Sequence, residues 1–87
     1  MDKLRALARE NAKARMGRLT TQEMQAAMLT CEGMPLKEVA ATLIRAFKTV
    51  DGQMASVYKK TGVRNRVELT RLAVCAGMVP VEYGGGE

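Results

Sequence analysis

Apolar residues in this chain recur at intervals of three and four rather than in alternation, a period that predicts helices throughout. Residues 2–16 are rich in Ala, Leu, Arg and Lys, place Leu4, Leu7 and Ala8 on one face, and meet Gly17 as a stop. A helix this polar is marginal by itself, so it is expected to pack on the rest of the chain through Leu4 and Leu7. A second helix starts at Thr20, where Thr20 and Glu23 have the spacing of a capping box. Met24, Ala27, Met28 and Cys31 then form its apolar stripe, and Gly33 ends it.

Pro35 suits the opening turn of a third helix, whose apolar face is Leu36, Val39, Ala40 and Leu43 with Ile44 adjoining. A fourth helix, over about 46–61, follows from Val50, Met54, Val57 and Thr61, with Phe47 leading in and Gly62 as its stop. Asn65 and Glu68 repeat the capping logic for a last helix with the stripe Leu69, Leu72, Ala73 and Ala76, closed by Gly77. Past Pro80 the Gly-rich tail has no pattern to hold regular structure. The expected architecture is therefore all-α: a basic helix or arm over residues 1–18, a helical domain over 19–79, and a tail over 80–87.

Composition narrows what such a domain can do. The chain has 87 residues, too few for a barrel or a doubly wound sheet. It has no His, its carboxylates are scattered, and no nucleophile–base pair is apparent, so neither a catalytic centre, a metal site nor a cofactor is expected. Cys31 and Cys75 lie far apart, each within a helical apolar pattern, and are read as buried, reduced thiols. No signal peptide or membrane-spanning run is visible, which points to a cytoplasmic protein without membrane partners.

The net charge of +5 is unevenly placed. Lys3, Arg5, Arg9, Lys13, Arg15 and Arg18 make residues 1–18 basic, and Arg45, Lys48, Lys59, Lys60, Arg64, Arg66 and Arg71 do the same for residues 45–71. The segment between them, with Glu23, Glu32 and Glu38 against Lys37, is mildly acidic. Two basic blocks on a mildly acidic scaffold suit a phosphate backbone better than a uniform charge does. RNA or single-stranded DNA is a poorer fit, because Phe47 and Tyr58 fall at or near inward faces and leave no stacking platform.

The order of motifs goes further than the helix pattern. Leu19, Thr20 and Glu23, then Gly33, then Lys37, Glu38 and Ala40, then Leu43, Thr49 and Val50, then Lys60, Gly62 and Val63, and finally Asn65, Arg66, Glu68 and Leu69 occur in sequence without a gap. Over residues 19–79 this run resembles the LuxR-type (GerE-like) helix-turn-helix DNA-binding domain. The resemblance implies four helices preceded here by an additional one, the third helix of the domain entering the major groove and the fourth supporting a homodimer. It also implies a transcriptional regulator of duplex DNA, here without an attached sensor domain.

On that resemblance the DNA-facing residues are Lys48, Thr49, Asp51, Gly52, Gln53, Ala55, Ser56, Lys59, Lys60, Arg64 and Arg66, with Lys59, Lys60 and Arg64 the foremost phosphate contacts. Leu69, Leu72, Ala73 and Ala76 are the expected dimer interface. The departures from the family pattern fall where DNA should lie. Asp51 replaces a Lys, Gln53 a His, Ala55 a polar or basic residue, Ala46 the usual Ser cap, Arg45 an apolar residue and Thr61 a core Leu. Asp51 either accepts a hydrogen bond from cytosine N4 or pairs with Lys48 on a solvated face. Gly52 in a helix interior implies close packing or a relaxed demand on reading. These departures leave a second reading open: a helix-turn-helix scaffold that binds a protein, either another regulator or a polymerase subunit.

Overall fold

In the computed structural model, which describes residues 2–78, every regular element is helical: α1 (Asp2–Met16), α2 (Thr21–Cys31), α3 (Leu36–Leu43), α4 (Phe47–Thr61) and α5 (Arg66–Cys75). The caps explain the boundaries. Thr20 Oγ1 accepts from the Glu23 amide at 3.1 Å while Glu23 Oε1 accepts from the Thr20 amide at 2.9 Å, closing a capping box on α2. Asn65 Oδ1 accepts from the Glu68 amide at 2.9 Å and starts α5. Gly62, at φ 80°, takes the left-handed conformation that ends α4.

The core lies where α2, α4 and α5 meet, with α3 packed on α2 and α4 and α1 laid across α5. Val39 from α3, Val50, Met54 and Val57 from α4, and Leu69 and Ala73 from α5 are fully enclosed. The inward face expected for α4 is the observed one, since Val50, Met54, Val57 and Thr61 are all buried. Thr61 fits a Leu-sized place because its hydroxyl donates back to the Val57 carbonyl at 2.7 Å, so nothing polar is left unpaired.

Two helices turn differently from expectation. Buried on α2 are Glu23, Ala26, Ala27, Thr30 and Cys31, whereas Met24 and Met28 are only partly covered. With α4 and α5 pressing from both sides, α2 turns its small residues inward, and Thr30 bonds the Met54 sulfur at 3.6 Å. On α1 the docking residues are Ala12 and Met16, while Leu4 and Leu7 remain exposed. Small Ala12 admits a close approach to α5, and Arg15 and Arg18 anchor the end of α1 on α4. Arg15 Nε donates to the Thr61 carbonyl at 2.7 Å and Arg18 Nη1 to the Lys60 carbonyl at 3.3 Å. Both arginines thus satisfy free carbonyls at the negative end of α4.

Both cysteines are free; Cys31 is buried as expected, but Cys75 is exposed, its thiol directed at the Ala8 carbonyl of α1. Among the described residues no helix is long and apolar enough to cross a membrane. The tail expected over residues 80–87 lies outside the described residues.

Candidate nucleic-acid interface

A helix-turn-helix is built here from α3, a three-residue connection and α4. Ile44 closes α3 in the left-handed region at φ 56°, and the Arg45 amide reaches back to the Ala40 carbonyl at 2.9 Å. A β-branched residue is sterically unsuited to that conformation, and its side chain, 91 % exposed, gains no packing in return. Ala46 then starts α4 without a side-chain cap, as its identity requires.

The sequence-predicted site residues divide into two groups along α4. Lys48, Thr49, Asp51, Gly52, Ala55 and Lys59 are exposed. Among the described residues the ion pairs are Lys60–Glu23 and Arg64–Glu68, so the Lys48–Asp51 pair does not form. Gly52 also lacks an internal reason to be glycine: a Cβ built on it meets nothing within 4 Å. The close packing expected at Gly52 is therefore absent among the described residues.

Gln53, Ser56 and Lys60 sit on the flank of α4 that faces α2, and each is engaged there. The Glu23 carboxylate accepts from Ser56 Oγ at 2.7 Å and from Lys60 Nζ at 2.8 Å, in addition to the Thr20 amide. The Lys60 ammonium, the Thr20 amide and the Ser56 hydroxyl hold the Glu23 pKa down to about 2. Gln53 belongs to a second cluster. Arg45 Nη1 donates to Gln53 Oε1 at 3.0 Å and to the Gln22 carbonyl at 3.2 Å, and Gln53 Nε2 donates to Gln22 Oε1 at 3.3 Å. Arg45, which stands in place of an apolar residue, thus fastens the turn to α2 and α4 by hydrogen bonds.

Of the basic residues beyond α4, Arg66 is exposed and Arg64 is held by Glu68, whose Oε1 also accepts from the Arg64 amide at 2.8 Å. These contacts lower the Glu68 pKa, the amide bond most. Of the three foremost phosphate candidates, Lys59 alone is free of an ion pair. Phe47 is half exposed rather than inward. The four residues expected at a dimer interface, Leu69, Leu72, Ala73 and Ala76, are all buried within the chain's own core, because α2 lies on one side of α5 and α1 on another. What α5 shows outward is Val67, Thr70, Arg71 and Val74, with Met78 just beyond it. Glu23 and Arg45 were absent from the sequence-derived site; the capping box marked Glu23 as structural but gave no hint of its bonds to α4.

Comparison with known proteins agrees with this geometry. Residues 17–73 match the family described as bacterial regulatory proteins, luxR family, a span that holds α2, α3, α4 and most of α5. The response regulator RamR of Streptomyces coelicolor is 41% identical over 59 residues, covering 68% of this chain and 29% of that protein. The transcriptional regulatory protein UhpA of Escherichia coli is 43% identical over 60 residues, covering 69% of this chain and 31% of that protein. The chain therefore spans about three tenths of the length of these relatives. The crystal structure of full-length FixJ from B. japonicum superimposes with a TM-score of 0.75 at 28% identity, over 86% of this chain and 38% of FixJ. With the motif order, the helix-turn-helix geometry and the matched span in agreement, this chain belongs to the luxR family of bacterial regulatory proteins.

Proposed function

We propose that this chain regulates transcription by binding duplex DNA, with the outer face of α4 in the major groove. The observation that carries the reading is that this face, Lys48, Thr49, Asp51, Gly52, Ala55 and Lys59, is exposed and makes no ion pair among the described residues. Gly52 and Ala55 give it a shallow centre, so the helix backbone can come close to base edges, and Lys48 and Lys59 at its two ends sit where phosphates would pass. Arg66 adds a third exposed cation without an ion pair among the described residues. Lys60 and Arg64 contribute mainly by holding α4 and the start of α5 in place. Asp51 is the candidate reader: an exposed carboxylate accepts hydrogen bonds and donates none, so it favours the cytosine amino group and disfavours acceptor edges. Support at the level of the family comes from the relatives, one named a response regulator and the other a transcriptional regulatory protein.

The test is fluorescence anisotropy with mixed-sequence duplex DNA at increasing salt. Three free cations predict a slope of log K against log[salt] of about −3, by the counterion-release coefficient of roughly 0.9 per phosphate. No binding at low ionic strength would exclude the reading. Dimerisation is proposed through the outward face of α5, where Val67, Thr70 and Val74 recur at helical spacing.

A protein-binding scaffold, taking another regulator or a polymerase subunit, is the second reading. It draws on an apolar groove of about 590 Å³ between α2 and α3, lined by Leu19, Met24, Met28, Leu29 and Leu43. Methionine-rich linings adapt to varied partners. If duplex DNA fails to bind, this reading takes precedence.

A further inference from the structure

The entry of α4 carries an apolar side chain that the fold leaves half in water. Phe47 is the one phenylalanine in the sequence and the first residue of α4, and it is 50% exposed. Large aromatic side chains are among those that gain most from leaving water. The neighbours one turn on explain its halfway position: Val50, at i+3, is buried, and Asp51, at i+4, is exposed. Phe47 therefore straddles the border between the buried stripe and the outer face. Ala46, Lys48 and Thr49 beside it are exposed as well, so the whole entry turn is open.

Two features aim and hold this side chain. Helical side chains lean towards the N-terminus, so that of a first residue projects past the start of its helix. The start itself is fixed. The Ala46 carbonyl accepts from the Val50 amide at 3.1 Å, and Arg45 ties the turn to Gln22 and Gln53. When a helix-turn-helix sits on DNA, the N-terminal residues of its second helix are the ones that meet base edges.

Resting on the reading of α4 as the DNA-contacting helix, we propose that Phe47 reads the C5-methyl group of a thymine in the major groove. That methyl is the apolar group on the major-groove edges of the base pairs, and an apolar side chain such as Phe is its partner. Phosphates and polar base edges offer the ring nothing in exchange for their hydration. Phe47 and Asp51 then divide the reading: the carboxylate takes an amino group and the ring takes a methyl group. They stand one helical turn apart, about 5.4 Å, against roughly 3.4 Å per base pair. With α4 lying along the groove, the thymine falls one or two base pairs from the position that Asp51 contacts. An apolar contact releases no counterions, so it changes affinity without changing the salt slope.

The test compares one duplex in two forms. A site selected by the wild-type chain from a random duplex library is synthesised with thymine or with deoxyuridine, which lacks only the C5-methyl group. In fluorescence anisotropy the wild type should bind the deoxyuridine form about fourfold more weakly, the ratio that corresponds to ~0.8 kcal/mol for one buried methyl-sized group. Phe47→Ala should bind the thymine form more weakly than the wild type does, discriminate between the two forms by less than about twofold, and keep the wild-type salt slope. Phe47→Leu, which keeps an apolar side chain, should still prefer thymine. Each ratio is taken with a single protein, so a change in the stability of a variant cancels. Equal binding of the two forms by the wild type, or an undiminished ratio in Phe47→Ala, would overturn the assignment of Phe47 and leave duplex binding by α4 standing. Binding of neither form by the wild type would overturn both.

Discussion

The two sides of α4 carry similar side chains and serve different ends. On the flank toward α2, Gln53, Ser56 and Lys60 are tied to Gln22, Arg45 and Glu23. On the outer face, Lys48, Asp51 and Lys59 have no such partners among the described residues. Lys59 and Lys60 are adjacent in sequence, yet one is a structural tie and the other an open cation. A basic residue in this helix is therefore informative about DNA only once its neighbours are known. The carboxylate of Glu23, buried between the helices, is what sorts them.

The comparison predicts its largest effect at Glu23. Replacing it with Gln removes the charge that Lys60, Ser56 and the Thr20 amide converge on, and should lower stability by about 2–3 kcal/mol. For a chain of this size that corresponds to a fall in melting temperature of roughly 10 °C or more. The sign of the pH dependence is fixed by the depressed pKa. The folded value of about 2 lies below the ordinary 4.5, so the contribution is complete above about pH 5 and is lost as pH falls through the folded value. A melt at pH 3 should therefore show a smaller gap between wild type and Glu23→Gln than a melt at pH 7. An equal gap at both would mean that Glu23 acts by packing alone.

This case also marks how far the residues spoke for the fold. The cap at Thr20, the cap at Asn65 and the buried stripe of α4 were legible because each is a local pattern, settled within a turn or two of helix. The orientation of α2 was not, because Glu23 and Thr30 look polar in sequence and become buried only through bonds made by α4. For α1, two leucines outweighed an alanine and a methionine in the pattern, whereas close approach to α5 favoured small Ala12. The residues expected at a dimer interface on α5 are buried in the chain's own core for the same reason: a stripe that suits an interface suits a core equally well, and α1 and α2 supply that core. Likewise the pairing of Lys60 and Arg64 depends on where Glu23 and Glu68 arrive, which charge counting does not encode.

A smaller effect, of opposite sign, is expected at the helix-turn-helix connection. Ile44 holds a left-handed conformation that disfavours β-branched side chains by about 1–2 kcal/mol, and its exposed side chain gains nothing by packing. Ile44→Gly should relieve that strain, offset in part by the greater freedom of glycine when unfolded, for a net gain of about 0.5–1 kcal/mol. Thermal denaturation checks the sign. A loss of stability would show that the Ile44 side chain is covered in solution, and hence that the adjoining surface has a partner.

On the outer face, substitutions should leave the fold intact and change only what it binds. Gly52→Ala meets no atom within 4 Å and restores helix propensity, so it should stabilise by up to about 1 kcal/mol. If a nucleic-acid backbone or base edge passes close over Gly52, the same added methyl weakens DNA binding, and the two measurements move in opposite directions. Improvement in both would place the bound duplex elsewhere.

Asp51 gives the smallest change in stability, within about 0.5 kcal/mol for Asp51→Asn as for other exposed sites without partners. Its consequence lies in binding. Removing a negative charge from a face flanked by Lys48 and Lys59 should tighten binding to mixed duplex DNA, and Asp51→Lys should steepen the salt slope by about one further phosphate. If Asp51 reads a cytosine amino group, both changes also flatten the preference among binding sites, since Asn and Lys no longer reject acceptor edges there. Selection from a random duplex library separates the two contributions. Tighter binding with an unchanged sequence preference would leave Asp51 as an electrostatic brake on the interface, and tighter binding with one position relaxed would make it the residue that specifies that base pair.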